Sequence, residues 1–398
     1  MGRHLKAPNP SPRSSANSVT LQHLGGLSDC STRRPGALHR PCTSDYVHIV
    51  TDIAPFAPGG VRRPSKATAE DQRDLGPALP FPIGWFCLGL SRELPRGGVV
   101  TRRLMDQDCV LYRTLDGVAR AVEAHCPHLG AHLGHGGKVA GQLLVCPFHR
   151  LGFAPDGACV SSPSGSPPRA RLGHLPLREL NGLLLVWHGP ADTQPSWEPP
   201  ALPGWARPTA LWKREVVAQV QDILENSFDC RHASELHGLS MRPLAPPEAD
   251  GPLMSIRVRI HPAKGRLLPR LDGVLAHQTI TMAGLGMHTT EVIVDRLGLT
   301  TYLWTLPTPI SPTRTVLRFA TTAAVTDTAR MPGGTSPLLR TAASRAAARI
   351  LLGAAIKYAY EDIRIWAHKR YQPYPGLASD EQAIGQFRRW ARQFYFTS

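Results

Sequence analysis

The chain has 398 residues, 42% of them hydrophobic, with 45 Lys and Arg against 30 Asp and Glu and a formal charge of +15. That is enough for one large core or two ordinary ones; it excludes a small disulfide scaffold and a wholly disordered chain, and 36 glycines without a triplet period exclude collagen. No apolar run reaches the roughly 18 residues that span a bilayer, and Arg is scattered without interleaved aromatics, so neither a transmembrane anchor nor nucleic-acid binding is expected.

Residues 1–79 have almost no periodicity and carry Pro, Ser and Arg clusters such as Pro8-Asn9-Pro10-Ser11-Pro12-Arg13-Ser14-Ser15. They read as a disordered tail. The Arg- and Ser-rich, acid-poor start also has the composition of an organelle transit peptide, and a start assigned too early is the third reading. The first 26 residues lack the apolar stretch of a signal peptide. A cytoplasmic location is therefore expected, with the eight cysteines as thiols or metal ligands rather than disulfides.

Residues 80–190 change pattern. Short apolar runs (Cys109–Tyr112, Gln142–Val145, Leu183–Trp187) alternate with turns such as Leu115-Asp116-Gly117 and Pro155-Asp156-Gly157, which predicts a small all-β unit. A Pro- and Trp-rich stretch, 191–208, reads as a linker. Within residues 191–398, strand-like alternation recurs at 254–260, 278–282, 289–295, 300–305 and 315–324. A long helix is predicted over 337–371 and a shorter one over 380–394. Strands followed by a long helix give an α+β class.

Two constellations carry chemistry. The first is Cys126-Pro127-His128, seventeen residues, then Cys146-Pro147-Phe148-His149. One thiolate and one imidazole from each loop is the donor set of a Rieske [2Fe–2S] centre, where two Cys hold one iron and two His the other. A zinc ribbon would use C-x2-4-C steps, which a C-x-H step does not match. Nearby His125, His132 and His135 read as loop residues. The second is Asp229, His232 and His237 in a D-x2-H-x4-H core. Five helical steps leave two side chains about 140° out of line. The two imidazoles converge only if the helix bulges or ends between them, and Gly238 is a suitable stop. A non-haem Fe(II) site needs a carboxylate as third ligand. Asp362 in the long helix is the candidate and adjacent Glu361 its rival.

The first segment resembles the Rieske domain of ring-hydroxylating oxygenases, through Phe81–Trp85, both ligand loops, Asp156–Cys159, Pro167-Pro168-Arg169 and Gly182–Trp187. One departure is Leu151, where family members carry an aromatic. The additional loop cysteines of respiratory Rieske proteins are missing, which implies a low-potential carrier near about −150 mV. The second segment resembles the catalytic domain of Rieske non-haem iron oxygenases. The nearest branch is that of 3-ketosteroid 9α-hydroxylase oxygenase components and cholesterol 7-desaturases, through Asp362–Trp366, His368-Lys369, Phe387–Trp390 and Gln393–Tyr395.

The resemblance implies an N-terminal all-β Rieske domain followed by a helix-grip catalytic domain with an antiparallel sheet and a long C-terminal helix. It implies one [2Fe–2S] cluster on Cys126, His128, Cys146 and His149, and one Fe(II) on His232, His237 and Asp362. O2 and a steroid-like or other polycyclic apolar substrate would be hydroxylated or desaturated. Electrons would come from NAD(P)H through a separate flavin/iron–sulfur reductase, since no dinucleotide-binding fingerprint occurs here. A head-to-tail homotrimer is implied, with Asp229 bridging the cluster of one copy to the iron of the next; an acid at a helix N-terminus is its plainer role. Asn226 is implied as a neighbour of the iron ligands. Candidate cavity walls are Leu236, Leu239, Met241, Met254, Ile280, Met282, Met287, Leu303 and Trp304. The alternatives are a Rieske electron carrier with an inactive second domain, and a zinc-stabilised binding module.

Overall fold

The computed structural model describes residues 77–190, 193–262, 276–325 and 336–395. The expected tail, 1–79, lies outside the described residues except for its last three.

The first half is built of short strands: β1 (Gly84–Leu90), β2 (Val99–Leu104), β3 (Gln107–Arg113), β4 (Ala119–Glu123), β5 (Lys138–Ala140), β6 (Leu143–Val145), β7 (Gly152–Phe153), β8 (Cys159–Ser161), β9 (His174–Leu175), β10 (Leu177–Leu180) and β11 (Leu183–His188). They form antiparallel sheets ordered β1-β11-β10, β2-β3-β4-β9 and β5-β6-β7-β8. All seven residues of β1 are buried. Phe86 and Leu88 pack with Leu111 and Val186, while Trp85 and Cys87 pack with Trp187, Trp304 and Leu306 of the second half. A strand covered on both faces reads as a continuous apolar run, and β1 does.

The second half contains β12 (Ala210–Val217), α1 (Val220–Glu225), α2 (Cys230–Glu235), β13 (Leu239–Pro243), β14 (Glu248–Asp250), β15 (Leu253–Pro262), β16 (Ala276–Ala283), β17 (Met287–Val294), β18 (Leu299–Ser311), β19 (Arg314–Val325), α3 (Pro337–Trp366) and α4 (Gln382–Ala391). The strands make one eight-stranded sheet ordered β12-β19-β18-β17-β16-β15-β13, with β14 on β15. The class is α+β with antiparallel sheets, as the sequence predicts.

Alternation along the strands assigns the two faces of this sheet. On β18, Tyr302, Trp304 and Leu306 join the cluster with Trp85, Cys87 and Trp187. Leu303 and Thr305 face the other way. Their cross-strand partners, Thr321 and Phe319 on β19 and Thr290 and His288 on β17, share that face. There α3 lays buried Ala348, Leu352, Ala359 and Trp366 along one helical stripe, the last three in one cluster with Val216, Leu317 and Phe319 and Ala348 O accepting from the Thr321 hydroxyl. Further along the face, Met254, Ile256, Ile280 and Met282 pack under Leu224 of α1, Phe228 of the turn after it, and Phe387 and Trp390 of α4. The site described below lies between these two covered areas.

The helix α3 begins at Ser336, whose side chain accepts the Leu339 N–H, with Pro337 as its first residue. It ends at Trp366, five residues before the expected Tyr371. Residues 193–209 form no strand or helix, as expected of a linker, but they are tied down. Trp85 Nε1 donates to Trp197 O at 2.8 Å, and the Asn181 amide donates to Leu202 O and Ala206 O.

Candidate metal centres

The two Cys–His loops are near-copies of each other. In the first, Cys126 N donates to Ala131 O and Gly130 N to Cys126 O; in the second, Cys146 N donates to Leu151 O and Arg150 N to Cys146 O. Both tight turns need a left-handed residue at the fifth position, supplied by Gly130 at φ 75° and by Arg150 at φ 56°. Cys126 and Cys146 are buried, and their sulfurs are close enough to interact. The backbone N–H groups of His128 and Leu129 donate to the Cys126 sulfur. Burial pushes that thiol up, against the pull of those two donors, a cost removed if the sulfur is a metal-bound thiolate. His128 and His149 stand side by side at the surface, ring centroids 4.9 Å apart. The two predicted sulfurs thus meet inside the fold and the two predicted imidazoles meet at its surface. Leu151 is buried in the core of the same sheets, where the family's aromatic would sit.

The second constellation assembles where α2 meets α3. The helix α2 ends at Glu235, between the two histidines, and Gly238 takes φ 67°. His237 is thereby freed from the helical step and turns back toward His232; their Nε2 atoms are 3.0 Å apart. Asp362 Oδ1 lies 3.5 Å from His232 Nε2 and 3.3 Å from His237 Nε2. One donor atom from each of the three falls within 4.8 Å of the others.

Hydrogen bonding on the far side of each ring decides what this arrangement suits. His232 Nδ1 is 2.9 Å from Asp229 O, and a carbonyl only accepts, so Nδ1 carries the proton. His237 Nδ1 is 2.7 Å from Glu361 Oε2. In neutral rings both Nε2 lone pairs then face each other beside a carboxylate oxygen. Burial alone would raise the Asp362 carboxyl, but the two imidazoles hold it below its ordinary value. Burial would lower His237, but Asp362 and Glu361 raise it. Two imidazole lone pairs and a carboxylate pressed together are the donor set of a facial iron site, and a cation relieves their mutual repulsion. Glu361, left by the sequence as a rival ligand, sits behind the His237 ring instead, outside the converging group.

Asp229 caps α2, its carboxylate accepting the His232 N–H at 2.9 Å. It borders a surface hollow of about 440 Å³ shared with Glu235, Asp380 and Glu381. Upstream, α1 is held by a Glu225–Arg388 pair at 2.5 and 2.9 Å and by Lys369 on Asp222 at 2.8 Å. The three converging residues open into a cavity of about 190 Å³, also lined by Asn226, His288, Leu303, Thr305, Phe319 and Trp366. At roughly 10–15 Å³ of this kind of volume per water, that holds a molecule far larger than O2. Of the expected walls Leu303 lines it. Met287 and Trp304 belong to the opposite sheet face, because their parity on β17 and β18 turns them away. Met254, Ile280 and Met282 are core beneath α1 and α4. Sequence reasoning missed His288, a lone histidine in a strand with no motif around it.

Residues 84–179 match the Rieske [2Fe–2S] domain, and residues 186–395 match the 3-ketosteroid 9α-hydroxylase C-terminal domain, which alone spans over half of the chain. The chain belongs to the Rieske non-haem iron oxygenases, in the steroid and sterol branch. It is 31% identical to the cholesterol 7-desaturase of Bombyx mori over 369 residues, covering 88% of this chain and 78% of that one. It is 28% identical to a probable 3-ketosteroid-9-alpha-monooxygenase oxygenase component of Rhodococcus rhodochrous, over 81% of this chain and 82% of that one. Among solved structures, dicamba monooxygenase bound to dicamba shares the fold, with a TM-score of 0.55 at 19% identity over 78% of this chain and 96% of that one.

This Rieske oxygenase is therefore an enzyme, with a [2Fe–2S] cluster and non-haem iron as its cofactors. It is an oxygenase component, so a separate reductase supplies its electrons. The electron carrier with an inactive second domain is not favoured. Among the described residues no helix is long and apolar enough to cross a membrane.

Proposed function

We propose that Cys126, His128, Cys146 and His149 hold the cluster, that His232, His237 and Asp362 hold the iron, and that the substrate is a steroid or sterol. What carries this reading is the meeting of His232, His237 and Asp362 within a cavity whose other walls include Leu303, Phe319, Ala355, Ala359 and Trp366. Relatives named for cholesterol and for 3-ketosteroids supply the substrate class. When bound, the cluster carries single electrons and the iron turns O2 against an unactivated C–H bond, giving hydroxylation or desaturation. The chain's own residues fix the geometry: Asp229 O and Glu361 set the two imidazole tautomers, and the apolar wall keeps water away from the reacting carbon. In this reading residues 80–190 carry the relay and 191–398 the chemistry. The free cysteines among the described residues fit a reducing cytoplasm.

The working form is a homotrimer, closed by head-to-tail contacts. Leu129 and Phe148, 65% and 62% exposed, flank the exposed His128 and His149 and call for a cover. The hollow beside Asp229, with Glu235 on its rim and Asp380 and Glu381 already paired there with Arg231, leaves the carboxylates of Asp229 and Glu235 to meet the histidine edge of a second copy, next to Arg150. Asp229 would then accept a hydrogen bond from a cluster histidine while its own carbonyl holds His232.

Two measurements test this. Protein given a surrogate reductase, NADH, O2 and a panel of sterols and 3-ketosteroids is expected to yield a product with one new hydroxyl or double bond. Refusal of the whole panel overturns the substrate class. Asp229→Asn is expected to keep iron, sulfide and a mass of three 43.3 kDa chains while turnover falls by roughly 100-fold. Undiminished turnover removes Asp229 from the bridge.

A further inference from the structure

His288 lies on the face of the eight-stranded sheet that looks toward α3, next to Met282 on β16 and Thr305 on β18. It is 6% exposed and lines the same cavity as His232, His237 and Asp362. Its Nε2 is 3.1 Å from Thr290 Oγ1 on the same strand face. Its Nδ1 is buried and has no hydrogen-bond partner, and among the described residues it is the one unsatisfied buried side-chain atom in that cavity lining. A buried polar atom without a partner is costly and calls for an explanation. Burial pushes the imidazole down to about 4, so the ring is neutral at pH 7. The Thr290 hydroxyl can give or take the Nε2 hydrogen bond, which leaves Nδ1 able to donate to a ketone or to accept from a hydroxyl.

We infer that His288 is the polar anchor of the substrate cavity: its Nδ1 hydrogen-bonds the oxygen function of an otherwise apolar ring substrate and so fixes which carbon faces His232, His237 and Asp362. The inference deepens the steroid reading and rests on it for the substrate class. An apolar wall alone orients a flat ring system poorly, since shifting it by one ring loses little contact. A single buried hydrogen bond removes that degeneracy, because a misplaced substrate leaves two polar groups unpaired. His288 is then a specificity residue that holds the molecule without touching the reacting bond.

The test is equilibrium dialysis of the full-length, iron-replete protein without O2, against matched ligands. One set is 5α-androstane, its 3β-alcohol and its 3-ketone; a second pair is naphthalene and 2-naphthol. The wild type is expected to bind an oxygenated member at least about tenfold tighter than its hydrocarbon. His288→Phe should bring the two within about twofold while leaving hydrocarbon affinity in place. His288→Gln, which keeps an amide donor and acceptor, should retain part of the preference, and it serves also if the Phe variant does not fold. Equal binding of alcohol, ketone and hydrocarbon by the wild type overturns the anchor, as does an undiminished preference in His288→Phe. If steroids are neither bound nor converted but 2-naphthol keeps a His288-dependent advantage, the steroid reading fails and the anchor stands. If steroids are converted and no set depends on His288, the reverse holds.

Discussion

Glu361 and Asp362 are neighbours in sequence and serve different ends. One helical step turns a side chain by about 100°. That step carries Asp362 onto the buried face of α3 and leaves Glu361 half-buried, reaching His237 Nδ1 at 2.7 Å. A carboxylate behind a ligating imidazole fixes its tautomer and raises its basicity. Glu361→Gln is therefore expected to weaken Fe(II) binding by roughly 10–100-fold. An iron titration read by metal analysis checks this, with the cluster absorbance unchanged as the control; wild-type affinity in the variant would assign Glu361 to the surface instead. The sequence puts Asp362 ahead of Glu361 through its apolar neighbours and the family resemblance, but it does not show how α3 is rotated about its axis, which is what separates the two. His288 was not legible at all. It belongs to the site through strand parity and a neighbour on another strand, which only the assembled sheet supplies.

At the scale of elements, the long strands of the second half and the long helix stood out because their periods run over many residues. The strands β15 to β19 appear where alternation predicts them, each starting one or two residues earlier; four run one to six residues further, and β17 stops one residue short. The helix α1 left no trace: six residues is under two turns, too short for a 3.6-residue period; α2, equally short, was legible only through its histidine motif and the acid at its start. The strand β12 was hidden as well, because its middle residues, Lys213, Arg214 and Glu215, are exposed on a sheet edge and break the alternation. The β16–β17 turn shows what pattern reading cannot weigh. A Cβ on Gly286 would fall 2.1 Å from the Trp85 carbonyl oxygen and 2.6 Å from the Phe86 ring. Backbone cannot yield as a flexible side chain does, so Gly286→Ala forces β1 and this hairpin apart. The expected loss is about 1–3 kcal/mol. Thermal unfolding of the iron-replete protein should drop by several degrees; an unchanged midpoint would mean the turn is free to move away from β1.

At the scale of the molecule, the two proposed centres are held by separate cores. Cys126 and Cys146 belong to the cluster built on Val110, Leu144 and Phe153, whereas His232, His237 and Asp362 sit between α2, α3 and the large sheet. Their exposure differs in kind: the two cysteines are 3% and 1% exposed, while the His232 and Asp362 side chains keep 19% and 12% facing an open cavity. A cluster pinned by four residues with its sulfurs buried should release metal far more slowly than a single ion on three donors beside solvent. Anaerobic dialysis against a chelator is therefore expected to remove about one iron in three while acid-labile sulfide and the reduced-cluster EPR signal stay. Turnover should vanish with that iron and return when Fe(II) is added back. Because the ion binds the folded chain and not the unfolded one, its loss should also lower the unfolding temperature. Glu361→Gln should lose the same iron at lower chelator concentration. If sulfide leaves in step with the first iron, the centres are not independent and the assignment of separate donor sets fails.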